Sequence, residues 1–569
     1  MVLPSVTAIG TPGAGHASAS GATSQPLEET YIVPTRHGKL YVEVVRPTNN
    51  GRDLQVPAIL TMSPYSVLGR NGDADEWWPR GYARVWVDVV GTGNSGGCYD
   101  YGGRREKETG YDIVEWIADR KWSNGKVGMI GGSYNGTTAI ATAVTRPPHL
   151  TTIVPEAAIS RWYEYAFSGG IRYFWTNEMV GHQGPGSAAD EGFDTPLAFD
   201  FGFAIPPPLD GGAGWAERVE STITPCEELE HTLHGYDFDT PNYGRFWLER
   251  DYIKDAGDID IPVLIAHNWG DWNVKQEEAI NLYRALDKSP NRRLYLGTRW
   301  DGHGTPGGDY DAAVRGWFAH YLKAVANGAD RLAAVTSQMS DSNGPAGWYA
   351  GDWPRTRRVT LFPQHVDSAS GYEWQLLTRR PWRRGPEAEF ASTGANTETF
   401  ANAHNRSNSN WFWFETPPLQ RDTRIFGNIE VRIFSTVNRE WVTFTPTIVD
   451  VDPGSRAEGI VTDPAGLVST TRGWLDSRYR RDLRAPHPIE PGRPFGMTVV
   501  TKPQDYTFKA GHRIGLNIQT EIADWSVPKP YPNCADPNCA LVRINWERGK
   551  TRVVLPVVEP RGIELFSLD

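Results

Sequence analysis

The segment Gly131-Gly132-Ser133-Tyr134-Asn135-Gly136 constrains the fold of this chain more than any other part of the sequence. An apolar strand pattern at 127–130 leads into it, and a helical pattern of small residues at 137–141 leads out. A serine at such a strand–turn–helix junction projects its hydroxyl from a tight turn that small neighbours permit. The segment predicts a nucleophile elbow. Taken alone, the motif also fits a glycine-rich turn around a serine that has no catalytic role.

An acid and a histidine follow later strand patterns in the order that a catalytic triad on such a sheet requires. Asp271 comes just after the strand pattern at 262–266, and His303 lies between two glycines after the pattern at 293–297. A mobile loop suits a general base, and a buried acid can orient its imidazole. We therefore predict Ser133 as nucleophile, His303 as base and Asp271 as the orienting acid.

The catalysis of acyl transfer also requires hydrogen-bond donors for the developing oxyanion. The backbone N–H of Tyr134 follows the serine directly and is one predicted donor. The loop Ser63-Pro64-Tyr65-Ser66 follows an early strand pattern, and the Tyr65 hydroxyl can supply the second donor. A packed aromatic side chain is the alternative interpretation of Tyr65.

Charge and motif spacing exclude several other classes of protein. Lys and Arg total 57 against 68 Asp and Glu, for a net charge of −11, so nucleic acid and anionic membranes are not expected partners. No apolar run approaches the length of a membrane-spanning helix. The segment Gly91–Gly96 matches a dinucleotide-binding fingerprint, but loop residues follow it where that motif requires a helix. No cofactor and no metal are expected.

Strand and helix patterns alternate through the first half of the chain, which predicts an α/β fold with a mostly parallel sheet. An aromatic and acidic stretch interrupts the alternation, and strand patterns, such as the one at 431–451, dominate from about residue 355. The predicted organisation is a flexible leader at 1–27, an α/β core at 28–155 and 257–350, a helical cap at 156–256, and a β-sandwich at 351–569.

Four cysteines and the leader bear on localisation. Two disulfides, Cys98–Cys226 and Cys534–Cys539, fit an exported protein, whereas four reduced thiols fit a cytoplasmic one. The leader contains a stretch that resembles the end of a processed signal peptide, but a disordered leader accounts for it as well. We expect an extracellular protein, with a cytoplasmic location as the alternative.

With these motifs in place, the chain from about residue 30 resembles the Xaa-Pro dipeptidyl-peptidases, a family that includes cocaine esterase and α-amino acid ester hydrolases. The family's elbow reads G-x-S-Y-x-G, which this sequence matches with Asn135 in place. The resemblance implies an oxyanion role for Tyr65 and triad roles for Asp271 and His303. It further implies an α/β-hydrolase core, a helical cap and a C-terminal jelly-roll-like sandwich.

Within that family the peptidase branch is the most similar. The resemblance nominates Trp162, Tyr163, Glu164 and Trp272 as substrate-binding residues, with Glu164 for the substrate's free amine and Tyr163 and Trp272 for a proline pocket. The expected function is the release of N-terminal Xaa-Pro dipeptides through an acyl-enzyme. An esterase or amidase acting on small acyl substrates and an inert binding protein are the alternatives. The oligomeric state stays open, with a homodimer as one option.

Overall fold

The computed structural model describes residues 24–65, 73–175, 193–194, 226, 241–298, 302–368, 371–381, 388–392, 407–408, 411–451, 462–463, 467–520, 540–545 and 547–559. Most of the predicted cap, together with Cys534 and Cys539, lies outside these residues. The described residues of the predicted cap include three short helices near its two ends and four strands of two residues each.

A mixed sheet forms the first part of the molecule, and its central strands are parallel. The described strands of this region are β1 (Ser24–Thr35), β2 (Gly38–Asn49), β3 (Arg52–Asp53), β4 (Val56–Ser63), β5 (Ala83–Asp88), β6 (Ser123–Gly132), β7 (Leu150–Glu156), β8 (Phe167–Ser168), β9 (Ile171–Arg172), β10 (Phe174–Trp175), β11 (Phe193–Asp194), β12 (Val263–Asn268), β13 (Arg292–Gly297), β14 (Val335–Asp341) and β15 (Gly344–Gly351). Neighbouring strands of the sheet run in the order β1-β2-β5-β4-β6-β7-β12-β13-β14-β15, with β5 through β14 parallel to one another and the outer strands antiparallel.

Both faces of this sheet are covered, which explains the continuous apolar runs in its strands. All eight residues of β4 are buried, and adjacent Ile59 and Leu60 belong to separate apolar clusters because successive side chains point to opposite faces. The helices Arg104–Ala118 and Tyr134–Ala143 contribute to the Leu60 cluster, and the helix Tyr310–Lys323 contributes to the Ile59 cluster. The other α-helices with bounds among the described residues are Ala74–Trp77, Trp162–Ala166, Arg245–Glu249, Ile253–Ala256 and Glu277–Ala285.

The rest of the described chain is built from strands that form two facing layers. One layer contains β22 and β31, and the other contains β20, β23 and β29, with apolar side chains of both layers in one shared cluster. The strands are β16 (Thr356–Ser368), β17 (Gly371–Leu377), β18 (Ala388–Ser392), β19 (Ser407–Asn408), β20 (Trp411–Glu415), β21 (Thr423–Gly427), β22 (Glu430–Val437), β23 (Thr443–Val451), β24 (Thr462–Asp463), β25 (Leu467–Arg472), β26 (Leu475–Asp476), β27 (Phe495–Val500), β28 (Gln504–Phe508), β29 (Arg513–Gln519), β30 (Ala540–Ile544) and β31 (Arg552–Val558).

The α/β core and the C-terminal all-β domain are therefore confirmed, while the jelly-roll topology stays a prediction. One local prediction needs correction. The strand pattern at 431–451 forms two strands, β22 and β23, because the polar segment Asn438-Arg439-Glu440 interrupts it. Among the helices of the described residues, none has the length and apolar character needed to cross a membrane.

Candidate active site

Ser133 occupies the turn between β6 and the helix Tyr134–Ala143. Its backbone has φ 59° and ψ −127°, a region that side-chain-bearing residues adopt at a cost of about 1–3 kcal/mol. Backbone hydrogen bonds hold it there, since its N–H donates to the Glu156 carbonyl at 2.8 Å and its own carbonyl accepts from the N–H groups of Gly136 and Thr137 at 3.0 Å. The hydroxyl thus projects at the carboxyl edge of the sheet.

Two of the glycines around Ser133, Gly131 and Gly136, are required because other atoms approach them closely, not because of their own torsion angles. A Cβ atom on Gly131 would lie 2.5 Å from the Asn135 Cβ, and one on Gly136 would lie 2.5 Å from the Gly131 carbonyl oxygen. Contacts this short do not occur between real side chains and backbone. The glycine pattern around Ser133 therefore reflects a turn too tight for larger residues.

Asp271 and His303 meet at the same edge of the sheet. They follow β12 and β13, neighbouring parallel strands whose last residues, Asn268 and Gly297, are paired. The Asp271 carboxylate has no exposed surface, and its Oδ2 lies 2.8 Å from His303 Nδ1. Its Oδ1 accepts the backbone N–H groups of Asn273 and Val274 at 3.0 and 2.9 Å. One oxygen is therefore fixed by the backbone while the other faces the imidazole.

Two opposing effects act on the His303 imidazole. Burial lowers its pKa, but the charge of Asp271 and the hydrogen bond to it outweigh burial, so that the pKa is raised above its ordinary value. The imidazolium form is accordingly stabilised, as a general base that must accept a proton requires.

The Tyr65 hydroxyl bridges the elbow. It donates to Ser133 Oγ at 3.0 Å and accepts the backbone N–H of Tyr134 at 3.2 Å. Burial raises the pKa of Tyr65, so the hydroxyl stays protonated at neutral pH. Tyr65 and Tyr134 therefore place an O–H and an N–H donor on one side of the Ser133 hydroxyl.

One contact of the predicted triad is not made. Within the described residues, no hydrogen bond joins the His303 imidazole to Ser133 Oγ. The structure thus brings together Asp271 with His303, and Tyr65 with Ser133 and Tyr134, as two separate groups. Catalytic hydrogen bonds are often longer without substrate and tighten in the substrate complex.

Two family models match the chain in succession. The first, "X-Pro dipeptidyl-peptidase (S15 family)", matches residues 37–303, and the second, "X-Pro dipeptidyl-peptidase C-terminal non-catalytic domain", matches residues 327–542. The chain belongs to the X-Pro dipeptidyl-peptidase family. It is accordingly a serine hydrolase, and the family suspected from the sequence is confirmed.

Individual relatives are distant. A Bacillus anthracis protein provisionally named an Xaa-Pro dipeptidyl-peptidase is 28% identical over 547 residues, which cover 88% of this chain and 83% of that protein. The crystal structure of an aminopeptidase from the marine sediment archaeon Thaumarchaeota archaeon superposes with a TM-score of 0.69 at 19% identity, covering 96% and 99% of the two chains. A CocE/NonD family hydrolase from Staphylococcus aureus gives a TM-score of 0.67 at 16% identity, with 93% of each chain covered. The two solved structures support the fold of this family member.

Three of the four residues predicted to bind substrate are aromatic and buried. Trp162 and Tyr163 have no exposed surface, and they donate to the Tyr252 hydroxyl and the Pro241 carbonyl at 2.9 and 2.7 Å. Trp272 packs against Trp474 with ring centroids 6.4 Å apart. The substrate-binding roles of Trp162, Tyr163 and Trp272 stay predictions.

Glu164, the fourth of these residues, lines a cavity between the core and the sandwich. This cavity has a volume of about 580 Å³, and Glu277 and Lys502 also line it. Burial raises the pKa of Glu164, and the charge of Lys502 partly offsets this rise. Its assignment as the amine anchor stays a prediction.

Two residues outside the predicted site set support the loop of His303 and the turn of Asp271. Asn268 donates its side-chain amide to the carbonyls of Gly302 and Gly304, at 3.1 and 3.3 Å, and so holds the residues on both sides of His303. His267 is fully buried and lies 3.4 Å from Asp271 Oδ2. Burial lowers the pKa of His267, and its Nε2 lies 2.8 Å from the Val274 carbonyl. Their position beside Asp271 in the sequence was the only available signal.

Two glutamates accept hydrogen bonds from tyrosine hydroxyls close to the elbow. Glu106 accepts the Tyr134 hydroxyl at 2.6 Å, and Glu156 accepts the Tyr310 hydroxyl at 2.6 Å. Burial raises the pKa of Glu106, and it raises the pKa of Glu156 to about 7. Both carboxyls are therefore harder to ionise than a carboxyl in water.

Cys98 and Cys226 form a disulfide, with their Cα atoms 5.4 Å apart. The bond links the predicted cap region, 156–256, to the loop that follows β5. The predicted pair Cys534–Cys539 lies outside the described residues. Within the described part of the chain, no group of three or more histidine, cysteine or acidic side chains is arranged to hold a metal ion.

Proposed function

We propose that this serine hydrolase is a peptidase that releases Xaa-Pro dipeptides from free amino termini, with Ser133, His303 and Asp271 as its triad. The 2.8 Å contact between His303 and Asp271, at the sheet edge that carries the Ser133 elbow, is the observation that supports it most. The match to X-Pro dipeptidyl-peptidase models supports the substrate class.

Acylation begins when Ser133 Oγ attacks the carbonyl carbon of the proline residue, while His303 Nε2 takes the hydroxyl proton. The carbonyl oxygen becomes an oxyanion that accepts the Tyr134 N–H and the Tyr65 O–H. For this, the Tyr65 hydroxyl gives up its present bond to Ser133 Oγ, and the Tyr134 N–H gives up its present bond to the Tyr65 hydroxyl, so that both donate to the substrate oxygen. The C–N bond then breaks, and the imidazolium gives its proton to the leaving amine.

Deacylation reverses the same proton movements with water as nucleophile. His303 takes a proton from water, the hydroxide adds to the acyl carbon, and Ser133 Oγ leaves with the proton returned by the imidazolium. Asp271 keeps its charge throughout and stabilises the imidazolium in both halves. Closing the gap between His303 and Ser133 on substrate binding is part of this proposal.

A substrate panel tests the proposed specificity. We expect rapid turnover of unblocked Ala-Pro-anilide and almost none of the same substrate with an acetylated amine, because the acetyl group removes the ammonium charge. Rapid cleavage of aryl esters without turnover of Ala-Pro-anilide would contradict the peptidase assignment and indicate an esterase.

Replacing Tyr65 by phenylalanine is expected to lower kcat by about 10²- to 10³-fold with a smaller effect on KM, since one oxyanion donor is lost. Steady-state kinetics on Ala-Pro-anilide measure this. Tyr321→Phe is a matched control, because the Tyr321 hydroxyl also takes part in a hydrogen bond, which it accepts from Asn291 at 2.6 Å. This hydrogen bond lies at the amino end of β13, the end opposite to the proposed active site. Equal kinetics for the two variants would refute the role of Tyr65.

We also propose that the enzyme works outside the cytoplasm. The disulfide Cys98–Cys226 supports this, because disulfides persist mainly in oxidising compartments.

A further inference from the structure

The turn that carries the catalytic acid lies against the C-terminal sandwich. We call residues 269–272 the acid turn. Trp269, at its start, is fully buried, and its ring packs edge-on against Phe426 of β21 with centroids 5.6 Å apart. Trp272, at its end, lies under the Arg472 guanidinium of β25, which is 4.6 Å from the ring centroid. Sandwich residues therefore contact both flanks of Asp271.

The backbone of the acid turn is held by two glutamine amides. The Trp269 carbonyl accepts Gln276 Nε2 at 2.6 Å and Gln504 Nε2 at 3.0 Å. Gln276 belongs to the α/β core, whereas Gln504 begins β28 of the sandwich, and neither side chain has exposed surface. A carbonyl oxygen has two lone pairs, so these donors use the full capacity of this acceptor.

The indole of Trp269 is fixed by a second chain of contacts that ends in the sandwich. Its Nε1 donates to Ser337 Oγ at 3.0 Å, and the Ser337 hydroxyl donates to Asp505 Oδ2 at 2.7 Å. Asp505 is itself paired with Arg424, through two contacts of 2.7 Å. Backbone and side chain of Trp269 are thus both tied to β28, through adjacent residues.

From this geometry we infer that Gln504 is a positioning residue for the catalytic acid, and that the sandwich takes part in catalysis by fixing the acid turn. The inference rests on the proposed triad. Asp271 Oδ1 accepts the N–H groups of Asn273 and Val274, which directly follow the acid turn, so the carboxylate moves with this backbone and a shift of the turn carries Oδ2 away from His303. A misplacement of about 1 Å at a catalytic group costs on the order of 10²-fold in rate.

Gln504→Met tests this, because methionine keeps the length of the side chain and removes the amide donor. We expect kcat on Ala-Pro-anilide to fall by about 10- to 100-fold with KM nearly unchanged. We also expect the acid limb of kcat/KM to move to lower pH, because a displaced Asp271 raises the pKa of His303 less. The rate of fluorophosphonate labelling should fall by the same factor as kcat.

Gln519→Met is the matched control, since Gln519 of β29 is 2% exposed and belongs to the same domain. We expect similar losses of thermal stability in both variants, but unchanged kinetics and pH profile for Gln519→Met. Ser337→Ala is a second, smaller perturbation of the acid turn, and it replaces Gln504→Met as the test if that variant does not fold. We expect Ser337→Ala to lower kcat and to move the acid limb of kcat/KM to lower pH, as expected for Gln504→Met.

The inference is overturned if soluble Gln504→Met, or Ser337→Ala in its place, matches Gln519→Met in kcat and pH profile. Loss confined to KM would overturn it as well. Failure of the underlying triad is distinguishable, because wild-type enzyme would then not label with fluorophosphonate at all.

Discussion

Replacing Ser133 by alanine is expected to lower kcat on Ala-Pro-anilide by roughly 10⁶-fold, as removal of the nucleophile does in serine hydrolases with a complete triad. Without Oγ no acyl-enzyme forms, and only the oxyanion donors and substrate binding act on the uncatalysed reaction. The melting temperature should not fall, since the strained backbone of the elbow is held by hydrogen bonds of the main chain. Single-turnover kinetics and a thermal melt measure both quantities.

Ser123→Ala provides the control for this variant. Ser123 begins β6, the strand that ends at the elbow, and its hydroxyl accepts the Gly125 N–H at 3.1 Å. This change should leave kcat within about twofold of wild type, as expected for a serine remote from the reacting atoms. Retention of peptidase activity in Ser133→Ala would contradict the assignment of the nucleophile.

Replacing Asp271 by asparagine is expected to lower kcat by roughly 10⁴-fold, because the amide favours the wrong tautomer of the partner imidazole. The pH dependence should change too. Burial lowers the pKa of His303 and Asp271 raises it above the ordinary value, so removal of the charge leaves burial dominant. The base is active when neutral, and the acid limb of kcat/KM should therefore move to lower pH in Asp271→Asn. A pH series of kcat/KM for both enzymes measures the shift.

The sandwich offers a matched control for this substitution. Asp450 is fully buried, and its Oδ1 lies 2.9 Å from His512 Nδ1, a pair much like that of Asp271 and His303. Asp450→Asn should lower thermal stability without a change in kcat or in the acid limb. If Asp271→Asn behaved like Asp450→Asn, Asp271 would not be the catalytic acid.

The sequence was sufficient to locate the groups that follow strand ends. Ser133, Asp271 and His303 each lie just beyond a short apolar run, and the carboxyl ends of parallel strands share one edge of a sheet. The pairing of Asp271 with His303 could therefore be anticipated, as could the α/β core and the all-β domain. The exact strand ends within 431–451 could not, because packing rather than local pattern sets them.

The sequence around a supported group does not reveal which distant residues hold it in place. Gln504 lies 235 residues from the carbonyl that it holds, and Asn268 reaches the His303 loop from the neighbouring strand. The family resemblance nominated Trp162 and Tyr163 as substrate-binding residues, and it could not indicate that both would pack against other aromatic side chains. Such contacts depend on the packed structure, which a linear pattern does not specify.

The central claim is that Ser133 is a nucleophile activated by His303, and active-site labelling tests it most directly. Wild-type enzyme and His303→Ala would be treated with a fluorophosphonate, digested, and mapped by mass spectrometry. The account predicts a single modified residue, Ser133, in the wild type and almost none in His303→Ala. Labelling of a different residue, or equal labelling of Ser133 in both enzymes, would contradict it.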